Sequence, residues 1–461
     1  MKNRAMMGSV AESPKTKLEL TEWEERSPAT CRALQGVFLA DDPRLCEVAE
    51  ILTKRGLLRI LELRSGLQVA STSFVGRLSL GDIEITIRPK IPGMKLLNLM
   101  RYAFNFRNLT MLPREEYGAT EGTFQQLLIH QLASEASELF SRGLLKAYKR
   151  TEEETEVFRG RLDLSRIARR LPPESSAMPC ITHPRLQDTV LNSVILAGLM
   201  FASGISDNGL LRKRLNRMYS AIQANVSVIK LDSECIRQAR HQINRLTRKY
   251  EPAIDIIEIL YQSSGMLLEA GDRSVELPGF LFDMNRFWQA LITRFLADNL
   301  SSFTIVDEVS LIGLMKYIPG LNPRGQKAPR PRPDIVVKQT KNVNSVLDTK
   351  YRDLWEQSLP GEMLYQLSMY ALSGTTEEPV ATIIYPTMHD EAKEAAVGIY
   401  DPITGSERGR VIIRPACLNK LESLVSEARG WTREGELFAE YLALGKPSPE
   451  EPSSAMANMS Y

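Results

Sequence analysis

The chain has 461 residues, of which 43% are hydrophobic and 25% charged, a composition typical of globular rather than disordered proteins. So long a chain exceeds one ordinary core, and we expect two or three domains. The 58 basic residues nearly balance the 56 acidic ones, so any surface that binds nucleic acid must be a local patch. No apolar run approaches the ~18 residues that span a bilayer, and the N-terminus lacks a secretory signal. We therefore predict a cytoplasmic protein without a membrane partner.

The cysteines and histidines argue against two classes of site. The 5 cysteines include no Cys-x-x-Cys pair, and the 4 histidines lack the spacing of metal ligands. Zinc sites, disulfide frameworks and nucleophilic Cys-His chemistry are therefore not expected. Buried thiols in a reducing compartment are the simpler interpretation.

The first part of the chain is predicted to be rich in β-strands. Residues 1–28 are polar and are expected to form a flexible N-terminus. Further on, Ile83, Ile85 and Ile87 alternate with polar residues, which is the period of a strand with one buried face. We predict a small β-rich domain over residues 29–117.

The hydrophobic period then changes to that of helices. From Phe124 to Phe140 an apolar residue recurs every four positions, which predicts an amphipathic helix that Gly143 ends. Residues 118–262 are predicted to be a helical middle region. Charged helix faces are more often solvent cover than binding surfaces, so we assign this region a structural role.

The last third, residues 263–444, alternates between helices and strands and predicts a mixed central sheet covered by helices. Residues 445–461 are expected to form a disordered tail. The fold class is thus an α+β multidomain protein that ends in an α/β domain. The predicted elements are a helix at 285–300, a strand at 303–312, a hairpin with strands at 334–338 and 345–350, a helix at 361–372, and strands at 381–385, 398–400 and 411–413.

The predicted hairpin carries two carboxylates and a lysine. Asp334 opens its first strand, and Asp348 and Lys350 lie two residues apart near the end of its second, so they share a face. Paired side chains across an antiparallel hairpin are only ~5 Å apart at Cβ, close enough to share a cation. Mg²⁺ prefers such oxygen ligands, and the backbone carbonyl of Thr349 could add one. Asp334, Asp348 and Thr349 are therefore candidate metal ligands, with Lys350 beside them as a catalytic point charge.

A solvated surface hairpin is the alternative interpretation of these three charges. The apolar strands around them favour a buried sheet, in which charged groups need partners. On the helix that follows, Gln366 and Tyr370 share a face and could hydrogen-bond a phosphate or water, although a partly buried polar edge explains each equally well. Four basic residues precede Asp334 in a Pro-rich loop and could grip a DNA backbone, or could simply be solvated. They are Arg324, Lys327, Arg330 and Arg332.

The hairpin and its flanks resemble the PD-(D/E)xK nuclease superfamily, here as Pro333-Asp334 and Asp348-Thr349-Lys350. Gln366 to Tyr370 matches the QxxxY element of the RecB-like branch. Several further stretches are similar to McrC, the nuclease subunit of McrBC-type modification-dependent restriction systems, so that the resemblance covers roughly residues 55–440. These stretches are residues 85–91, 142–148, 159–161, 189–192 and 281–286.

The resemblance implies a PD-(D/E)xK nuclease domain at residues 263–444 that uses Mg²⁺ to cut DNA. It also implies an McrB-like AAA+ GTPase partner that recognises double-stranded DNA carrying modified cytosine. In the family, the N-terminal region docks on this partner and stimulates GTP hydrolysis, a role that falls here on the β-rich domain. The chain contains no GxxxxGK[ST] phosphate loop, which fits a motor supplied by another protein.

One position departs from the family pattern. Where relatives usually carry a Glu that supports the metal site, this chain has Gln289, which brings no charge. Asp307 or Glu308 could compensate. Two alternative functions therefore stay open: a catalytically weak adaptor that stimulates the motor, and a RecB-like exonuclease that acts on DNA ends.

Overall fold

A computed structural model describes residues 16–40, 42–104, 124–169, 177–270, 273–340, 342–373, 376, 378–427 and 432–445. The chain divides into two compact units, Met1–Asn105 with Leu281–Tyr461, and Phe106–Phe280. These two units do not test the domain boundaries predicted at residues 117 and 262, which stay predictions. Residues 1–15 of the predicted flexible N-terminus and 446–461 of the predicted tail lie outside the described residues.

The helices predicted at residues 124–140, 285–300 and 361–372 are present, and their ends differ from the prediction by at most one residue. Within the described residues the α-helices are α1 (Pro43–Lys54), α2 (Gly93–Ala103), α3 (Phe124–Ser141), α4 (Leu164–Arg169), α5 (Val190–Ile205), α6 (Gly209–Ile222), α7 (Ser233–His241), α8 (Glu251–Ser263), α9 (Met284–Asn299), α10 (Gly361–Ala371), α11 (Leu418–Glu427) and α12 (Arg433–Leu444). No helix in the described part of the chain is both long and apolar enough to cross a membrane.

The strands fall into two groups. The first unit contains β1 (Thr16–Thr21), β2 (Glu25–Arg26), β3 (Leu58–Leu63), β4 (Gly66–Ser71), β5 (Phe74–Leu80), β6 (Ile83–Arg88), β14 (Thr304–Asp307), β15 (Ile335–Gln339), β16 (Asn342–Thr349), β17 (Val380–Thr387), β18 (Ala395–Tyr400) and β19 (Glu407–Cys417). The second unit contains β7 (Ala147–Tyr148), β8 (Thr151–Thr155), β9 (Arg161–Leu162), β10 (Met178–Thr182), β11 (Arg185–Leu186), β12 (Ser264–Ala270) and most of β13 (Arg273–Asp283).

The N-terminal part of the first unit is rich in strands, as predicted. Strand β6 pairs with β5 in antiparallel and with β1 in parallel fashion, and β2, β4 and β3 form a separate antiparallel sheet. Ile83, Ile85 and Ile87 are buried, which confirms the alternation. The prediction of a flexible segment over residues 1–28 is wrong for β1, because Leu18 and Leu20 alternate with polar residues and bury one face of the strand.

A six-stranded mixed sheet forms the other part of this unit, in the order β14-β15-β16-β17-β19-β18. Strands β14, β15 and β16 are antiparallel, whereas β16, β17 and β19 are parallel and β18 is antiparallel to β19. This confirms the mixed sheet. Helix α9 packs on β14 and β16, and α10 packs on β17 and β19. Strand β14 is shorter than the predicted 303–312 because Glu308 adopts a left-handed φ of 49°.

The second unit is built on helices, and also contains short strands that the sequence did not predict. Helix α3 packs on α8, and α5 packs on α6, α7 and α8. Side-chain hydrogen bonds join its parts, since the buried Tyr250 hydroxyl donates to Asn192 Oδ1 at 2.7 Å and accepts from the Leu145 amide at 2.7 Å.

Candidate active site

The predicted hairpin lies in the buried sheet and not at the surface. Strands β15 and β16 pair Ile335 with Leu347 and Val336 with Val346, and these four side chains are at most 1% exposed. The residues just beyond the first of these pairs are Asp334 and Asp348. They lie opposite each other where the hairpin leaves the apolar core.

The three charged side chains converge at this end of the hairpin. The Lys350 ammonium lies 2.9 Å from Asp348 Oδ2 and 3.9 Å from Asp334 Oδ2. Asp334 Oδ2 also accepts hydrogen bonds from the Thr349 amide at 2.7 Å and the Thr349 hydroxyl at 2.8 Å. The Thr349 side chain thus orients one carboxylate, a contact that the sequence did not predict. Its carbonyl as a metal ligand stays a prediction.

Asp348 is the most deeply buried member of the cluster. Its side chain is 2% exposed, and among the described residues its Oδ1 atom has no hydrogen-bond partner. Burial raises the pKa of Asp348 from 3.8 to about 6, and the charge of Asp334 adds to the rise while Lys350 opposes it. An oxygen of this kind, buried and unpaired beside a second carboxylate, is chemically suited to bind a hard cation.

Lys350 stays protonated in this setting. Burial alone would lower its pKa, but the charges of Asp348 and Asp334 outweigh burial, and the pKa is raised. The three side chains together therefore carry a net negative charge when both carboxyls are ionised.

Helix α10 presents the predicted Gln–Tyr pair beside the cluster. Gln366 Nε2 donates to the Tyr370 hydroxyl at 2.8 Å, and the Tyr370 side chain is 2% exposed. Burial raises the pKa of Tyr370, and the charges of Asp348 and Asp334 contribute to the rise. Tyr370 is thus a neutral hydroxyl within the electrostatic field of the two carboxylates.

The predicted basic loop is exposed. Arg324, Lys327 and Arg330 are exposed, and Arg332 Nη1 lies 3.3 Å from Glu308 Oε2. Glu308 is therefore paired with the loop, and its amide donates to the carbonyl of Asp334 at 2.9 Å.

Gln289 is half-buried on α9 and Asp307 is exposed at the end of β14. Within the described part of the chain, no hydrogen bond or ion pair joins the side chain of Gln289, Asp307 or Glu308 to Asp334 or Asp348. Compensation for Gln289 by either acid stays a prediction.

Two residues that the sequence did not single out support the end of β16. Asn285, in the first turn of α9, accepts a hydrogen bond from the Tyr351 amide at 3.2 Å and donates to Ser73 Oγ at 2.6 Å. Trp288 Nε1 donates to the Ile384 carbonyl at 3.2 Å, and the same carbonyl accepts from the Lys350 amide at 3.1 Å. Residues 281–286, which resemble McrC and run into the start of α9, were the available signal for Asn285.

A second group of possible ligands lies nearby in the sequence. Asp353, Glu356 and His389 place ligand atoms within 4.8 Å of one another. His389 pairs with Glu356 at 3.1 Å, Lys90 lies 3.7 Å from Glu356, and Asp353 accepts from Thr387 at 2.8 Å. We assign these residues to a surface ion-pair cluster because each already has a hydrogen-bond or ion-pair partner.

Comparison with known proteins identifies the family. Residues 69–386 match the family model described as McrBC 5-methylcytosine restriction system component. The chain belongs to this family. The matched region contains the hairpin and helix α10, and the resemblance to McrC inferred from the sequence is confirmed at the level of the family. Among curated proteins, none matches the chain.

The fold is similar to that of a solved structure. This structure is a refined half-complex from a tetradecameric assembly of Thermococcus gammatolerans McrB AAA+ hexamers with bound McrC. It aligns at 19% identity with a TM-score of 0.54, and the match covers 89% of this chain and 99% of that chain. A cryo-EM structure of the Thermococcus gammatolerans McrBC complex aligns at 19% identity with a TM-score of 0.46, over 62% of this chain and 88% of the other.

Proposed function

We propose that this McrBC-family chain is a Mg²⁺-dependent DNA endonuclease subunit of a modification-dependent restriction system. The observation that supports it best is the convergence of Asp334, Asp348 and Lys350 at the buried end of one hairpin, as in a PD-(D/E)xK nuclease. Its substrate would be double-stranded DNA carrying modified cytosine, in the cytoplasm.

The donor atoms fit a magnesium ion. Asp334 and Asp348 offer carboxylate oxygens, and among the described residues the Oδ1 atom of Asp348 is buried without a partner. The Thr349 carbonyl directly follows Asp348 in the sequence. All are the hard oxygen ligands that Mg²⁺ prefers. When bound, Mg²⁺ supplies a nucleophile near neutral pH and stabilises the extra negative charge on phosphorus.

The remaining side chains position the reactants. Lys350 keeps its proton because two carboxylates face it, so it acts as a point charge that orients the attacking water or the phosphate and not as a base. Tyr370 stays neutral and offers its hydroxyl proton, and the amide of Gln366 orients that hydroxyl.

The basic loop before Asp334 is proposed to hold the DNA backbone. Residues 309–333 include 5 basic and no acidic residues, and Arg324, Lys327 and Arg330 are exposed. Contacts from such side chains to phosphates are independent of sequence and release counterions. The loop leads directly into Asp334, so a strand held by it would lie beside the cluster.

An McrB-like AAA+ GTPase is the proposed partner. The aligned Thermococcus gammatolerans structure contains McrB AAA+ hexamers with bound McrC. By analogy, the β-rich N-terminal region of this chain would dock on the partner and stimulate its GTP hydrolysis.

The test is reconstitution of the chain with such a partner, GTP and Mg²⁺ on a methylated plasmid. We expect the wild-type chain to linearise the plasmid, and Asp348→Ala to abolish cleavage while GTP turnover stays at the wild-type level. Asp188→Asn, in the second unit, is the matched control and should cut normally. Cleavage by Asp348→Ala would refute the assignment.

A second candidate is a nuclease-fold adaptor, which the neutral Gln289 favours. In the same assay an adaptor raises GTP turnover without breaking either strand. An exonuclease would instead leave closed circles intact and degrade linear DNA.

A further inference from the structure

Tyr351 directly follows Lys350 and is held at both ends. Its amide donates to Asn285 Oδ1 at 3.2 Å, and its hydroxyl lies 3.1 Å from Glu22 Oε2, to which it donates. The side chain is 4% exposed. Consecutive Cα atoms are only 3.8 Å apart, so whatever fixes Tyr351 also fixes the backbone of Lys350.

Both anchors of Tyr351 rest on the N-terminal β-rich region. Asn285 donates to Ser73 Oγ, in the turn between β4 and β5. Glu22 follows β1 directly, and its Oε2 atom also accepts from the Lys90 amide at 3.1 Å. The residue after the catalytic lysine is thus tied to two separate points of this region.

Glu22 is an unusual residue for a purely structural role. It is 1% exposed, and within the described part of the chain its Oε1 atom has no hydrogen-bond partner. Burying a carboxyl group with an unsatisfied oxygen costs free energy that an apolar residue would not. Burial also raises the pKa of Glu22 to about 7.

The next residue adds to this cost. Trp23 has a left-handed φ of 60°, and its buried Nε1 atom has no partner among the described residues. The Arg352 guanidinium lies 5.4 Å from the centre of the Trp23 ring, so the strained residue also contacts the segment after Lys350. Strain and unsatisfied groups of this kind cluster at functional sites.

We propose that Glu22 is a positioning residue of the nuclease centre: by holding the Tyr351 hydroxyl, it fixes the Lys350 ammonium against Asp348. The inference rests on the proposed function for its catalytic meaning. A shift of about 1 Å in a catalytic group can lower a rate by a factor of about 100, so the loss of one anchor should be measurable.

The first test compares two buried tyrosines. Tyr351→Phe removes the hydroxyl held by Glu22, and Tyr250→Phe removes an equally buried hydroxyl in the second unit. We expect Tyr351→Phe to lower kcat for plasmid cleavage about tenfold at unchanged KM for DNA, with GTP turnover of the partner unchanged. Tyr250→Phe should cleave at the wild-type rate although it also loses thermal stability. Wild-type cleavage by Tyr351→Phe, or an equal loss in both variants, would overturn the inference.

Rescue by a conservative change separates positioning from packing. In Glu22→Gln the amide oxygen can still accept from Tyr351 and from the Lys90 amide, so we expect near-wild-type cleavage. Glu22→Ala removes the acceptor and should match Tyr351→Phe. Equal rates for Glu22→Ala and the wild type would contradict the role of Glu22.

A second readout needs neither DNA nor the partner. Acylation of Lys350 by an activated ester, followed by peptide mass spectrometry, reports how firmly Asp348 holds the ammonium. We expect labelling several-fold faster in Tyr351→Phe than in the wild type and unchanged in Tyr250→Phe. Unchanged labelling in Tyr351→Phe overturns the positioning role. A wild-type chain that fails to cut DNA with its partner refutes the proposed function instead, and labelling then decides the positioning role alone.

Discussion

Replacing Asp348 by Asn should stabilise the metal-free protein while it abolishes cleavage. The folded state raises the pKa of Asp348 from 3.8 to about 6, mainly through burial. A raised carboxyl pKa means that the ionised form is disfavoured in the fold. Each pKa unit corresponds to about 1.4 kcal/mol, so ionised Asp348 costs roughly 3 kcal/mol above pH 6. The amide introduced by the substitution lies where the Oδ1 atom has no partner. If this amide stays unpaired, it reduces the gain in stability by about 1–2 kcal/mol.

The effect of Asp348→Asn on the free energy of unfolding is expected to depend on pH. The free-energy cost of ionised Asp348 in the fold is fully present above pH 6 and falls to about half near pH 5. It disappears below pH 3.8, where Asp348 is protonated in both the folded and the unfolded state. We therefore expect Asp348→Asn to raise the free energy of unfolding by about 1–2 kcal/mol at pH 8, with the difference shrinking as the pH falls.

Urea denaturation at pH 8 and pH 5, each with EDTA and with Mg²⁺, measures both effects. Mg²⁺ should stabilise the wild-type chain by mass action and leave Asp348→Asn unchanged. Asp188→Asn serves as the control of opposite sign, because hydrogen bonding by Lys149 lowers the pKa of Asp188 to about 2 and its ionised form stabilises the fold. An Asp348→Asn variant that is less stable at pH 8 in EDTA, or that gains as much from Mg²⁺ as the wild type, would refute the reasoning.

Three further changes probe other parts of the molecule. Tyr370→Phe removes a hydroxyl in the field of the carboxylates, and should slow cleavage about tenfold without loss of helix by circular dichroism; an unchanged rate contradicts its role. Replacing Arg324 and Lys327 by Ala should weaken DNA binding uniformly across sequences and reduce the salt slope by about two in anisotropy titrations, whereas an unchanged slope rules out phosphate contacts. Gly66→Ala places a Cβ 2.1 Å from a backbone oxygen at φ 136°, and should cost roughly 3 kcal/mol or more in urea denaturation; a loss below 1 kcal/mol would contradict the clash.

The local pattern was enough to predict the hairpin and its charged residues. Apolar runs on both sides of a polar turn predicted paired strands, and the two-residue spacing of Asp348 and Lys350 placed them on one face. The predicted helices could be recognised in the same way, because their hydrophobic period repeats within a short window of sequence. The roles of Thr349 and Lys350 as ligand and point charge stay predictions.

Contacts between distant parts of the chain could not be predicted in the same way. Glu22 and Tyr351 are 329 residues apart, and nothing in either segment specifies the other. Strand β1, which leads to Glu22, is short and lies in a polar stretch. The polar composition of this stretch predicted a flexible segment in spite of the two leucines. A second signal existed there, since Glu22 continues the alternation of Leu18 and Leu20 and therefore falls on the buried face.

The two ends of the first unit are separated along the chain by the whole of the second. Synthesis from the N-terminus delivers Met1–Asn105 long before Leu281 and the strands that follow it. Helix α2 of the early segment must therefore wait for α9 and α11, against which it packs, and loop closure over so many residues makes this assembly slow. A chain interrupted before β17 would carry Asp334, Asp348 and Lys350 but not the strand that pairs with β16, so an incomplete product could not assemble the proposed catalytic centre.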